Sequence, residues 1–193
     1  MKNQIFRFLK NYSAEPTDVD RLIVSAYLIK NGLAVNKNQL LNAYLISPRD
    51  ETENKHLAKF IEIISDELKA FSLEDLIEVF EFVVSPSDRI INGAIYTPAA
   101  IREYIVAEVF DIKKVDIEDI KVADISCGCG GFLLTVAQGL KKRTSASYSH
   151  IYRTQLFGLD IQDYSITRTK LLLSLLALAD GEDEEIFEFN WFI

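Results

Sequence analysis

The sequence predicts a helical N-terminal domain over residues 1–86, followed by the first part of a parallel α/β fold over residues 87–193. Three observations predict this. Up to Pro86, apolar residues recur at helical spacing, with no strand pattern and no internal repeat. Beyond about residue 120, short apolar runs alternate with helical ones, as in a parallel sheet covered by helices. Between the first of those strands and its helix lies Asp124-Ile125-Ser126-Cys127-Gly128-Cys129-Gly130-Gly131-Phe132. Glycines in such a turn allow positive φ and a close approach of backbone to a ligand.

Taken in order, Ile5, Phe6, Phe8 and Leu9 form a first apolar stripe. Pro16-Thr17-Asp18 opens the second helix with Thr17 as N-cap, and Asn31-Gly32 closes it. A third helix is expected from Gln39 to Ile46, and a fourth over 54–71 with Leu57, Phe60, Ile61, Ile64 and Leu68 on one face. Ser72-Leu73-Glu74-Asp75 starts a fifth, which runs to Ser85-Pro86. These stripes form a core or, in part, a partner-binding face. Residues 87–95 read as a connector. Thr97 then caps a helix with Pro98 in its first turn, expected to carry Ile101, Tyr104, Ile105, Val109 and Phe110 inward. Strands are expected near 120–125 and 155–160, helices near 130–142 and 163–179, and a last strand from Ile186 to Ile193.

Composition excludes several function classes. A net charge of −8 argues against a chain that clamps nucleic acid by itself. The one basic run, Lys141-Lys142-Arg143, reads as a solvated helix C-terminus or a small basic patch. Cys127 and Cys129 are too close for an unstrained disulfide and lack the second pair of a zinc site; His56 and His150 are the only histidines. No metal site is therefore expected. Free cysteines and the charged N-terminus suggest the cytoplasm, and the apolar run 171–179 is too short to span a membrane.

Three elements converge on the predicted strand ends, where open α/β sheets bind ligands. The glycine turn has neither the G-x-G-x-x-G spacing nor the lysine of a P-loop, and Asp124 at its start repels phosphate but suits an ammonium group. Asp160, in Gly158-Leu159-Asp160-Ile161, can accept both hydroxyls of a ribose. The helix start at Thr97 suits a carboxylate. A ribose, an amino group and a carboxylate without phosphate describe S-adenosylmethionine. Plainer roles compete: Asp124 as a turn-capping residue, Asp160 as an ordinary strand-end acid, and Tyr96 as packing beneath the turn.

The segment Asp124–Phe132 resembles the D-P-A-C-G-S-G-G-F motif of amino-group DNA methyltransferases, closest to adenine-N6 enzymes of the type I modification-subunit kind. Gly93–Pro98 is similar to the G-x-x-Y-T-P element upstream of that motif, Gly158–Ile161 to the second cofactor motif, and the helix 167–178 to the leucine-rich stretch after it. The resemblance covers residues 76–179 and implies a Rossmann-like, S-adenosylmethionine-dependent fold. It implies that Thr97, flanked by Tyr96 and Pro98, meets the methionine carboxylate and Asp124 the amino group. Ser126, Cys127, Gly128, Gly130 and Gly131 line the cradle, Asp160 holds the ribose and Ile161 packs on adenine. Ile125, Ser126 and Cys129 depart from the motif, all within the turn.

The family's catalytic N-P-P-Y/F motif is absent, since no Asn-Pro or Asp-Pro pair occurs in the sequence. That motif holds an extruded base by its amino group and stacks on it. The expectation is an N-terminal fragment of a restriction-modification adenine-N6 methyltransferase, inactive alone. DNA, a specificity subunit and a restriction subunit are its implied partners. Exposed aromatics at Phe187, Phe189, Trp191 and Phe192 imply self-association. The alternatives are a methyltransferase of the same cofactor class acting on RNA or protein, and a non-catalytic helical interaction module.

Overall fold

The computed structural model describes residues 2–83, 97–111 and 116–192. The chain divides into two compact units, Met1–Ala94 and Ile95–Ile193.

The first unit holds α1 (Asn3–Tyr12), α2 (Pro16–Asn31), α3 (Gln39–Ala43), α4 (Glu51–Glu67) and α5 (Leu73–Phe82). Its centre is α2, whose Leu22, Ile23, Val24 and Ala26 are fully buried. A helix apolar on most of its faces is a core helix. Phe8 of α1 stacks on Phe60 of α4, and Phe71 closes edge-on against Tyr27. Three expectations shift. Glu15, not Thr17, occupies the N-cap of α2, with Pro16 as first helical residue and no side-chain cap. The Asp50 side chain accepts from the Glu53 amide at 3.0 Å, so α4 starts at Glu51; it ends at Glu67, where Leu68 turns extended, short of Phe71. The third helix stops at Ala43. The start of α5 is as expected, a capping box between Ser72 and Asp75.

No side chain at its own N-cap satisfies α1. Instead the Glu67 carboxylate, at the end of α4, accepts from the Gln4 and Ile5 amides at 2.9 and 3.1 Å. A carboxylate there satisfies two orphan donors and complements the helix dipole. Glu67→Ala is expected to cost about 1–2 kcal/mol, read as a lower urea midpoint at unchanged m-value.

The second unit contains α6 (Ala99–Phe110), β1 (Val122–Asp124), α7 (Gly131–Arg143), α8 (Tyr148–Thr154), β2 (Leu156–Leu159), α9 (Asp163–Ala179) and β3 (Asn190–Phe192). The strands run parallel in the order β1-β2-β3, with Asp124 opposite Gly158 and Gly158 opposite Trp191. A Cβ on Gly158 would lie 2.9 Å from Trp191 Cε3 and 3.2 Å from Leu133 Cδ1, so this mid-sheet glycine admits the indole and α7 together. The architecture is mostly helical with a small three-stranded parallel sheet.

Several expectations are corrected in this unit. Pro98, not Thr97, is the N-cap residue of α6, and no side chain caps it. Ile101, Tyr104, Ile105 and Val109 are exposed; the buried stripe is Arg102, Val106 and Phe110. That stripe wins because Gly139 opens α7 to it: a Cβ there would lie 2.6 Å from Phe110 Cε2. Helix α8 was not anticipated. Ser147 caps it, accepting from His150, and Glu182 accepts from the Tyr148 and Ser149 amides at 2.9 and 3.3 Å and from Lys141 at 2.7 Å. From sequence alone the acidic run Glu182 to Glu185 reads as a solvated loop; its first member is instead a brace. The last strand is only Asn190–Phe192, because Phe187 and Phe189 pack on the ring of Tyr152. Phe187 is buried, whereas Phe192 is exposed. No described helix is long and apolar enough to cross a membrane.

Candidate functional site

The carboxyl ends of β1 and β2 meet at the glycine turn, and its backbone hydrogen bonds show how the turn is held. Asp124 ends β1, and its Oδ1 accepts from the Ser126 amide at 3.1 Å. The Cys127 amide donates to the Leu159 carbonyl at 3.0 Å, extending the β1–β2 ladder into the turn. The Gly128 amide donates to Asp160 Oδ2 at 2.9 Å, and the Gln162 amide to Asp160 Oδ1 at 2.9 Å. The Gly130 amide returns to the Cys127 carbonyl at 2.8 Å.

Glycine is required at two of these positions. Gly128 has φ +52° and Gly130 φ +84°, both left-handed. At Gly130 a Cβ would also lie 2.8 Å from Thr169 Cγ2, and Thr169 Oγ1 donates to the Gly128 carbonyl at 2.9 Å. Helix α9 therefore buttresses the turn from behind. Gly130 is the N-cap of α7, which has neither a side-chain cap nor an acidic residue in its first turn. The Cys127 and Cys129 side chains are buried, so these residues offer a ligand backbone rather than sulfur. Burial, with the Asp124 and Asp160 carboxylates behind it, pushes the Cys127 thiol up to about 12, so it stays protonated.

The electrostatics are anionic. Burial first, and then the Asp160 carboxylate, push the Asp124 carboxyl above its ordinary value, against a lowering by the Ser126 amide. Two neighbouring acids at the mouth of a turn favour a cationic group between them. Immediately after each acid stands a large apolar side chain in solvent: Ile125 is 76 % exposed and Ile161 71 %. The site thus offers charge for a cation and apolar surface for a flat ring. Asp160 has two of its roughly four acceptor positions taken by backbone amides, which aims the rest.

Of the residues singled out in the sequence, Asp124, Ser126, Cys127, Gly128, Gly130, Asp160 and Ile161 gather at these strand ends, and Gly131 begins α7. Thr97 reaches the same region through its carbonyl, which accepts from Arg102 Nη1 at 2.6 Å. Pro98 turns the chain into α6. Tyr96, with Gly93, lies outside the described residues. Sequence reasoning passed over Arg102 and Thr169, which look like a surface cation and a polar interruption in a leucine-rich helix. Among the described residues no group of three or more His, Cys, Asp or Glu could hold a metal ion.

The glycine turn and the two acids Asp124 and Asp160 stand at the carboxyl ends of a small parallel sheet, the place where open α/β sheets bind ligands. The chain belongs to the N-6 DNA methylase family, whose sequence profile matches residues 73–186, more than half its length. The resemblance to adenine-N6 DNA methyltransferases is thereby borne out. No curated protein sequence matches the chain.

Proposed function

We propose that these residues form the S-adenosylmethionine-binding part of an adenine-N6 DNA methyltransferase with a Rossmann-like fold, belonging to a restriction-modification system. The observation that carries the reading is the anionic, glycine-lined mouth at Asp124 and Asp160, flanked by exposed Ile125 and Ile161. It suits a ligand that is cationic at one end and flat and apolar at the other, and it repels phosphate. Asp124 would hold the amino group, Asp160 the ribose hydroxyls and Ile161 the adenine. The amides at the start of α7 and the Thr97 segment would face the carboxylate. When bound, S-adenosylmethionine supplies an activated methyl group on its sulfonium.

The described residues of the site would bind and orient the cofactor, and none of them is assigned to the base. No Asn-Pro or Asp-Pro pair occurs in these 193 residues, so the target amino group would need hydrogen-bonding partners other than such a motif of theirs. One edge of β1 is unpaired among the described strands. Beside it lies an apolar groove of about 330 Å³ lined by Ile105, Val109, Val122, Ala123 and Phe132. A further strand adding there would extend the order beyond β1, as doubly wound sheets do. DNA, a specificity subunit and a restriction subunit remain the proposed partners.

Calorimetric titration of the chain with S-adenosylmethionine and with ATP tests the reading. S-adenosylmethionine should bind and ATP should not, and a hundredfold excess over Kd should stabilise the fold by about 2.7 kcal/mol. No methyl transfer to adenine-containing DNA is expected from these residues alone. Absence of both heat and stabilisation in a chain with intact circular dichroism would sink the cofactor reading and favour an interaction module.

A further inference from the structure

We propose that Arg102 is a positioning residue for the cofactor cradle, setting the distance between the Thr97 segment and the first turn of α7. The proposal rests on the cofactor reading above. Arg102 is 2 % exposed, on the buried stripe of α6. A guanidinium is removed from water at considerable cost, so its surroundings must be specific. Its Nη1 donates to the Thr97 carbonyl at 2.6 Å, and its Nε points to Thr135 Oγ1 at 3.4 Å. Thr135 Oγ1 in turn donates to the Gly131 carbonyl at 3.1 Å.

The guanidinium also lies close against Gly131. A Cβ on that glycine would sit 3.2 Å from Arg102 Cζ and Nη1 and 3.3 Å from Nε. This gives Gly131 a role that its backbone conformation does not demand, since positive φ in the turn is confined to Gly128 and Gly130. A side chain at this position would press on the guanidinium, which would have to shift by a few tenths of an ångström. One side chain thus grips the carbonyl before α6 and rests on the first residue of α7. Those are the two segments that would meet the amino-acid end of the ligand.

Electrostatics point the same way. The start of α7 is the positive end of its dipole, and a guanidinium there opposes it. A ligand carboxylate at the same place offsets both. Lysine cannot replace the arrangement, because it lacks the planar fork that reaches Thr97 and Thr135 together.

The test compares two ligands on the whole chain: S-adenosylmethionine, and 5′-methylthioadenosine, which keeps the nucleoside but lacks the amino-acid end. The unsubstituted chain should prefer the first. In Arg102→Lys and Arg102→Gln, affinity for S-adenosylmethionine should fall by about tenfold while that for methylthioadenosine changes by less than about twofold. Thr135→Val, which keeps the arginine and loses one of its partners, should lose about threefold on S-adenosylmethionine only. If Arg102→Gln does not fold, Arg102→Lys and Thr135→Val carry the comparison. Equal weakening of both ligands, or no change for S-adenosylmethionine, overturns the proposal and leaves the cofactor reading intact. An unsubstituted chain that binds neither ligand removes that reading and the role of Arg102 with it.

Discussion

Asp124→Asn is expected to bind S-adenosylmethionine at least tenfold more weakly than the parent chain while melting at a higher temperature. The two effects have one cause. In the fold, burial and then the Asp160 carboxylate hold the Asp124 carboxyl above its ordinary value, so the ionised form is disfavoured by its surroundings. A carboxyl raised in the folded state contributes stability that is fully present below its unfolded value and is lost as pH rises through the folded one. Above its raised folded value the ligand-free chain therefore carries an ionised Asp124 at a cost. Asparagine removes that charge and keeps an oxygen to accept the Ser126 amide, now at 3.1 Å from Oδ1.

The same charge is what the ligand's ammonium group would need. A hydrogen bond to a charged partner is worth about 1.5–3 kcal/mol, or tenfold to a hundredfold in affinity. Scanning calorimetry from acid to neutral pH separates the effects. The parent should lose stability relative to the variant across and just above the ordinary carboxylate range, and the gap should then stay constant. A variant that melts lower at neutral pH, or binds as tightly as the parent, would show Asp124 to be an ordinary turn-capping residue.

What was legible in the sequence was whatever depends on neighbours along the chain. The turn Asp124–Phe132, the capping box at Ser72 and the αL closure of α2 at Gly32 are local devices, and each stands where the sequence places it. What failed depends on who packs against whom. Four apolar residues of α6 point to solvent, because the groove beside Gly139 accepts the Arg102–Val106–Phe110 stripe. Binary patterning has no means of assigning an arginine to a buried face, since the groups it meets there, among them Thr97 and Thr135, are distant in sequence or carry no apolar signal. Glu182 fails for the same reason: an acidic run looks solvated until α8 brings two free amides to it. Around the turn, therefore, the local hydrogen-bonded frame was legible from the chain, and the side chains that pack against it, Arg102 and Thr169, were not.

That supporting shell can be weighed at Gly130, where replacement by alanine should destabilise the second unit severely. Two penalties combine. The backbone at φ +84° costs a non-glycine residue about 1–2 kcal/mol. The added Cβ would also lie 2.8 Å from Thr169 Cγ2 and 2.9 Å from Oγ1. Displacing Thr169 breaks its 2.9 Å bond to the Gly128 carbonyl, and overpacking of this kind costs a further 1–3 kcal/mol or about that. Gly181 isolates the first penalty within the same unit: its φ is +88°, and a Cβ there meets nothing within 4 Å. Gly181→Ala should thus show the backbone cost alone, and Gly130→Ala should exceed it by the packing cost. Adding Thr169→Ala to Gly130→Ala should recover the steric part and leave the backbone part, a coupling that a double-mutant cycle reads directly. Equal losses at Gly130 and Gly181 would mean that α9 yields without resistance. The turn would then owe its shape to its own hydrogen bonds, and the cradle would tolerate side chains that the packing of Thr169 forbids.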